Sequence, residues 1–401
     1  MRQMLDLADC PARPWQGPGS QPAMIAVRGS ECWRVKATAD ANSSAMEVTL
    51  GKLFQLTGLV APDTELVAAV DGLPASGEHV GSRFEVGFQD LGDFLVSDAA
   101  VDLVAAANPS SRSAYEALRA GHARAVSDNA RLLKQAGREW WALRGDDAQH
   151  HAANDQRRFN ALDAMNRMLP GPLRCEQLRH FIVSRWLGNW DHLNYRLENF
   201  GYTVREGTRV GMSLDFGSCG PLGFRDLQTG AMLTKPHSGE VAIAQRPPSL
   251  FPIPLAYVAN VGHFDAMCGD PGPLHDVTAW PYGFQSDSIA ALFRPPVAPD
   301  PRVADILAEM GYRLGLLPVS AISAVIHRHW PLLPDGAGQR WPTAAELTGQ
   351  LLSRRDALLA RFDPAQIADW VQADPDRAVR IQQALASATQ AVLGGQADRP
   401  D

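Results

Sequence analysis

Lysine is scarce in this 401-residue sequence. Only Lys36, Lys52, Lys134 and Lys235 are present, and the remaining 33 of the 37 basic residues are arginine. A GC-rich genome accounts for the imbalance, and a lysine at any chosen position is then rarely there by chance. Cysteine is scarce too: the five, at 10, 32, 175, 219 and 268, are scattered, odd in number and free of CxxC. Neither a disulfide framework nor a zinc site follows, and reduced thiols in a cytosolic compartment are the expectation. No run of 18 apolar residues occurs, so no helix is expected to span a membrane. Asp6 and Asp9 stand where a signal peptide needs its apolar core, which argues against that route of secretion. A basic excess is missing as well. The net charge of −7 argues against a dedicated nucleic-acid binder, whose affinity comes largely from phosphate neutralisation. His150-His151, the one paired histidine, has no metal-ligand spacing around it and reads as an exposed pair at a helix end.

What is present is a globular composition, 45% hydrophobic and 20% charged, long enough for one large bilobal unit or two modest domains. Residues 1–22 are rich in Pro and Gly and read as irregular. Residues 23–37 read as two strands turning at Arg28-Gly29-Ser30, and Leu66–Val70 and Ser82–Phe88 as two more. Between them, residues 43–58 read as a helix with one buried stripe, Met46, Leu50, Leu53, Phe54 and Thr57, stopped by Gly58. From Ala114 the pattern is helical: 114–143, 157–168, 175–187, 302–328, 343–361 and 376–394. It is interrupted by strand-like residues 196–215 and by a Pro- and Gly-rich stretch, 217–300, that predicts long ordered loops. Trp140-Trp141 are expected to pack inside the helical part. The class is α+β, with a small β-rich part holding one helix (1–95) and a larger helical part (96–401).

The most informative stretch is residues 181–218. A buried helix ends at Gly188, Asp191 follows on a tight loop, and a hairpin with Arg205-Glu206-Gly207 at its tip returns to Ser213-Leu214-Asp215-Phe216-Gly217. Two acidic residues and an Asn would then face one point from adjacent strand ends. Phosphoryl transfer uses such a set: one carboxylate orients the attacking group, while a second and an Asn oxygen hold Mg²⁺ against the nucleotide phosphates.

Gly188-Asn189-Trp190-Asp191 and Leu214-Asp215-Phe216-Gly217 resemble the G-N-x-D catalytic loop and metal-binding D-F-G of the protein-kinase-like superfamily, in its atypical branch of HipA-like and phosphoinositide kinases. Thr57-Gly58-Leu59-Val60-Ala61-Pro62 resembles the G-L-x-x-P passage of HipA-like kinases. The resemblance covers about residues 16–220 and implies a bilobal kinase-like fold with ATP and Mg²⁺ in the cleft. It implies Asp191 as the catalytic Asp, Asp215 as a Mg²⁺ ligand, Lys36 on the α/β-phosphates and Glu47 as the partner that positions Lys36. Gly19 and Ser20 stand where a phosphate-covering loop belongs, and adenine would bind within Glu85–Asp90. The metal-binding Asn is Asn199 or Asn194; the position five residues after Asp191 is Arg196, and Asn199 is preferred because a strand follows it.

Each residue also has a plain structural reading. Ser44-Ala45-Met46-Glu47 is a capping box, Lys36 a solvated strand-edge residue, Asp191, Asn194, Asn199 and Asp215 turn formers. It is the joint order of lysine, helix Glu, G-N-x-D, Asn and D-F-G that favours an ATP- and Mg²⁺-dependent phosphotransferase. With no basic amphipathic segment for a membrane surface, the expected acceptor is a protein Ser or Thr rather than a lipid. The alternatives are nucleotidyl transfer (AMPylation) on the same fold and a non-catalytic scaffold. The expected location is the bacterial cytoplasm, or a host cell if the chain is a delivered effector.

Overall fold

The computed structural model describes residues 4–16, 22–38, 41–73, 79–85, 87–137, 143–187, 189, 192, 197–216, 301–330, 343–360 and 362–394. The first sheet is built on a hairpin of β3 (Ala23–Arg28) and β4 (Glu31–Lys36), which turns at Gly29 in left-handed backbone, φ 58°. With β1 (Leu5–Leu7), β2 (Ala12–Pro14), β5 (Thr64–Val70) and β6 (His79–Arg83) it forms six strands in the order β1-β5-β6-β4-β3-β2. Every pairing is antiparallel except β1 with β5. Two expectations are corrected here. The opening segment supplies both edge strands rather than irregular chain, and Pro14, which has no N–H to donate, sits on an edge where none is needed. The strand expected over 82–88 ends at Arg83, because the Phe88 N–H donates back to the Glu85 carbonyl and Gly87 takes φ 80°.

Alternation along β4 buries Trp33 and Val35 in a small core with Leu7, Met24, Ala26, Val67 and Val70. Arg34 and Lys36 therefore share the opposite face. Helix α1 (Ala41–Leu56) crosses behind that face. Its expected stripe is buried, but Val48, Thr49 and Leu56 are buried as well. The helix is enclosed on both sides: β5 and β6 lie on one flank, and α6 (Gly171–Leu187), α8 (Val319–His329) and α11 (Pro375–Gly394) on the other. A one-stripe pattern describes a helix with one partner; α1 has two.

Helices α2 (Leu91–Leu95), α3 (Asp98–Ala107), α4 (Arg112–Ala136), α5 (Gly145–Met168) and α6 begin the helical part. The 95/96 division falls at the end of α2, whose Leu91, Phe94 and Leu95 already belong to the large helical core. Pro172 lies in the first turn of α6, where a missing N–H is tolerated, so Pro170-Gly171-Pro172 starts that helix as well as ending α5. The helix expected over 302–328 is two, α7 (Pro301–Gly315) and α8, separated at Pro318. Between α9 (Ala344–Leu359) and α11 stands α10 (Pro364–Ala373), which the sequence pattern did not indicate. The stretch 217–300 and Trp140-Trp141 lie outside the described residues. Among the described residues no helix is long and apolar enough to cross a membrane.

A second sheet, β7 (Gln89–Asp90), β8 (Phe200–Arg205) and β9 (Thr208–Ser213), joins the two parts. The β8–β9 loop is Glu206-Gly207, with φ 50° and 76°, as a tight two-residue hairpin requires. Gly201 on β8 faces β7 without room for a side chain: a Cβ would collide with the Gln89 carbonyl oxygen and the Asp90 Cα. Gly201→Ala is expected to destabilise the protein by about 1–3 kcal/mol in denaturant unfolding, with the loss falling on β7–β8 pairing. An unchanged midpoint would show that β7 yields without cost.

Candidate active site

Lys36 ends β4 on the face opposite the small core. Its Nζ lies 2.9 Å from Glu47 Oε1 on α1 and 3.0 Å from Asp215 Oδ1, which follows β9. The helix carrying Glu47 begins at Ala41, so Ser44 lies within it and its hydroxyl pairs with that of Thr38. The capping-box reading is thereby corrected: Glu47 is used by Lys36. Lys36 is likewise no solvated edge residue, since β4 is an interior strand and the side chain is 13% exposed.

Asn199 stands just before β8, and its carbonyl accepts the Leu214 N–H at 2.8 Å. That bond extends the hairpin by one step and sets Asn199 beside the Leu214-Asp215 turn, although 16 residues separate it from Asp215 in sequence. Asp215 adopts φ 49° and Leu197, at the other side of the hairpin base, φ 60°. Non-glycine residues pay for left-handed backbone, and such strain concentrates where geometry is set for function. Phe216 is fully buried, 5.2 Å from the Phe54 ring and against Gly51 of α1, where a Cβ would meet its ring at 3.2 Å. The missing side chain at Gly51 lets Phe216 dock beneath the helix and hold Asp215 in place.

Lys36, Glu47, Asn199 and Asp215 line one cleft of about 320 Å³. Phe84, Glu85, Phe88, Gln89 and Asp90, in the link between the two parts, form another of its walls. Asp191, Asn194, Gly19 and Ser20 lie outside the described residues. Asn189 is described and is buried. His150-His151 lies inside α5 rather than at its end, and His151 pairs with Asp155 at 3.4 Å. Among the described residues no group of three or more His, Cys, Asp or Glu is placed to hold a metal.

Sequence reasoning missed the aromatic mouth of the cleft. Trp15 and Phe84 meet in a tilted contact with ring centres 5.7 Å apart, and the Arg34 guanidinium lies 5.4 Å from the Trp15 ring. The only signal available was that Arg34 lies two residues before Lys36 on the same strand face. His180 was missed as well. It is buried on α6, shares a 2.7 Å hydrogen bond between Nδ1 and Ser213 Oγ, and is kept neutral by burial and by His192, Arg179 and Arg313 nearby.

The electrostatics centre on Lys36. Burial works to lower its pKa, but Asp215 and Glu47 outweigh that and hold it above the ordinary lysine value. Glu47 is pushed up to about 7 by burial, against the pull of Lys36 and with the push of Asp215.

No family model matches the chain, and no curated protein matches it. Among solved structures, the crystal structure of a Helicobacter pylori proinflammatory kinase, CtkA, is similar at 12% identity and a TM-score of 0.43, over 92% of this chain and 99% of that one.

A carboxyl that keeps its proton longer in the folded chain than in the unfolded one stabilises the fold at low pH. It loses that contribution as pH rises through its folded pKa. The Glu47 contribution to unfolding free energy is therefore expected to fall between about pH 4.5 and pH 7, and Glu47→Gln to flatten that part of the profile. Parallel pH profiles for the two proteins would show that Glu47 is ionised throughout.

Proposed function

We propose that this chain is an ATP- and Mg²⁺-dependent phosphotransferase with a protein Ser or Thr hydroxyl as acceptor. One observation carries the reading: a lysine held between a helix glutamate and an aspartate 179 residues away, at the wall of a cleft between a sheet and a helical body. Phosphoryl transfer rests on positioning and charge neutralisation, and that triad supplies both. Glu47 fixes the Lys36 ammonium, which would meet the α/β-phosphates. Asp215 and the Asn199 amide offer hard oxygen donors at the same wall, the donor type that Mg²⁺ takes together with phosphate oxygens and water. The residues present therefore fit the ion, which when bound would neutralise phosphate charge. Asp191, which the G-N-x-D resemblance assigns to orienting the acceptor hydroxyl, completes the set. The kinase-like fold is part of the same proposal.

Purified protein is given Mg²⁺, a candidate protein acceptor and ATP labelled on the γ- or the α-phosphate. Transfer of γ-label alone, lost in Asp215→Ala, is the expected result. Transfer of α-label would replace this reading by nucleotidylation, and movement of neither label would remove it. Lys36→Ala is expected to cut turnover at least 100-fold, on the scale that loss of a charge-stabilising contact has in other enzymes. Asn199→Ala is expected to raise the Mg²⁺ concentration needed for half-maximal rate.

A further inference from the structure

Three elements bear on the proposed site: α1 with Glu47, α6, which in sequence precedes Asn189 and Asp191, and β9, which runs into Asp215. Behind the cleft one ionic chain links all three. Arg313 of α7 donates from Nη1 to the Thr57 carbonyl at the end of α1, at 2.8 Å, and from Nη2 to Glu309 at 3.2 Å. Glu309 also accepts from Nε and Nη2 of Arg179 on α6, at 3.0 and 2.8 Å. Arg179 Nη1 donates to Glu176 at 2.6 Å, and the second Glu176 oxygen accepts the Gly211 N–H of β9 at 2.9 Å.

Resting on the phosphotransferase reading, we infer that Arg313, Glu309, Arg179 and Glu176 are positioning residues that fix the spacing between Lys36–Glu47 and Asp215.

Two features separate this role from generic stabilisation. Arg313 and Glu309 are each 7% exposed, and an ion pair taken that far out of water contributes little net stability compared with apolar packing. What it does supply is direction: two forked guanidiniums and two carboxylates balance in charge and engage each other at defined angles. The chain also ends on backbone at both extremities, a helix-terminal carbonyl and a strand N–H, so it sets where α1 and β9 lie rather than where a side chain points. Gly58 adds a steric condition. A Cβ there would stand 3.0 Å from Arg313 Nη1, so glycine leaves the approach to the Thr57 carbonyl open. From Thr57 the rigid α1 carries that placement back to Glu47, and from Gly211 the strand carries it forward to Asp215.

The test uses the full chain with Arg313→Lys, which keeps the charge and loses the fork, and Glu176→Gln at the other end. Affinity for a non-hydrolysable ATP analogue with Mg²⁺ is titrated well below the thermal midpoint, together with the Mg²⁺ dependence of binding. The expected result is about tenfold weaker nucleotide binding and a raised Mg²⁺ requirement in each variant. The double variant should lose less than the two singles combined, because both act through one chain. Lowered thermal midpoints with unchanged affinity and Mg²⁺ requirement would overturn the inference and leave the chain a purely structural one. Should Arg313→Lys fail to fold, Glu176→Gln, at the partly exposed end, decides alone. Failure of the wild type itself to bind the analogue would overturn the phosphotransferase reading and this inference with it.

Discussion

The site depends on a single cation shared by two carboxylates. Lys36, Glu47 and Asp215 come from a strand, a helix and the end of a hairpin, and no two of the three are held together by local sequence. Remove the ammonium and two acidic groups face each other at the cleft wall, where like charges repel. With it in place, strand, helix and hairpin are drawn to one point. Arginine, which supplies nearly all the positive charge of this protein, is poorly suited to the place. A compact ammonium satisfies two converging oxygens within about 3 Å, whereas a planar guanidinium prefers one carboxylate side-on.

Lys52 repeats the arrangement on the same helix. Its Nζ lies 2.6 Å from Asp63 and 2.8 Å from Glu65, and those two carboxylates keep it charged against the effect of burial, which alone would lower its pKa. Lys36 ties α1 to β4 and to Asp215; Lys52 ties α1 to the start of β5. Helix α1 is thus fastened by charge to the sheet, by Arg313 to α7, and by apolar packing to α8 and α11. An element held on so many sides has little freedom to swing.

Aromatic packing supports the same geometry from below. Phe54, His180, Phe200 and Phe216 form a cluster under α1, with ring centres 5.2 to 5.4 Å apart. A neutral His180 serves there as both a packing ring and a hydrogen-bond partner of Ser213, a residue two places before Asp215. Charge at that ring would be isolated from water, which is why burial keeps it neutral.

Much of this was legible in the sequence because it depends on short-range rules. The period-two pattern of residues 31–36 fixes which side Lys36 takes, the apolar spacing of 46–57 requires a helix, and Glu206-Gly207 makes a tight hairpin by backbone preference alone. The order of lysine, helix Glu, Asn and D-F-G drew attention to the residues that the structure lines along one cleft. What the sequence did not determine depends on partners distant in the chain. Glu47 fits a capping box as well as a salt bridge until the helix start at Ala41 and the nearby Lys36 decide the matter. The edge strands of the Pro-rich opening form only because β3 and β5 offer free edges. The chain Thr57–Arg313–Glu309–Arg179–Glu176–Gly211 joins segments up to 256 residues apart through side chains that, singly, read as ordinary surface charges. Local sequence sets backbone propensity and the facing of each side chain. Which buried charges meet is decided only when whole helices and strands pack, since that packing alone removes water and selects the partners.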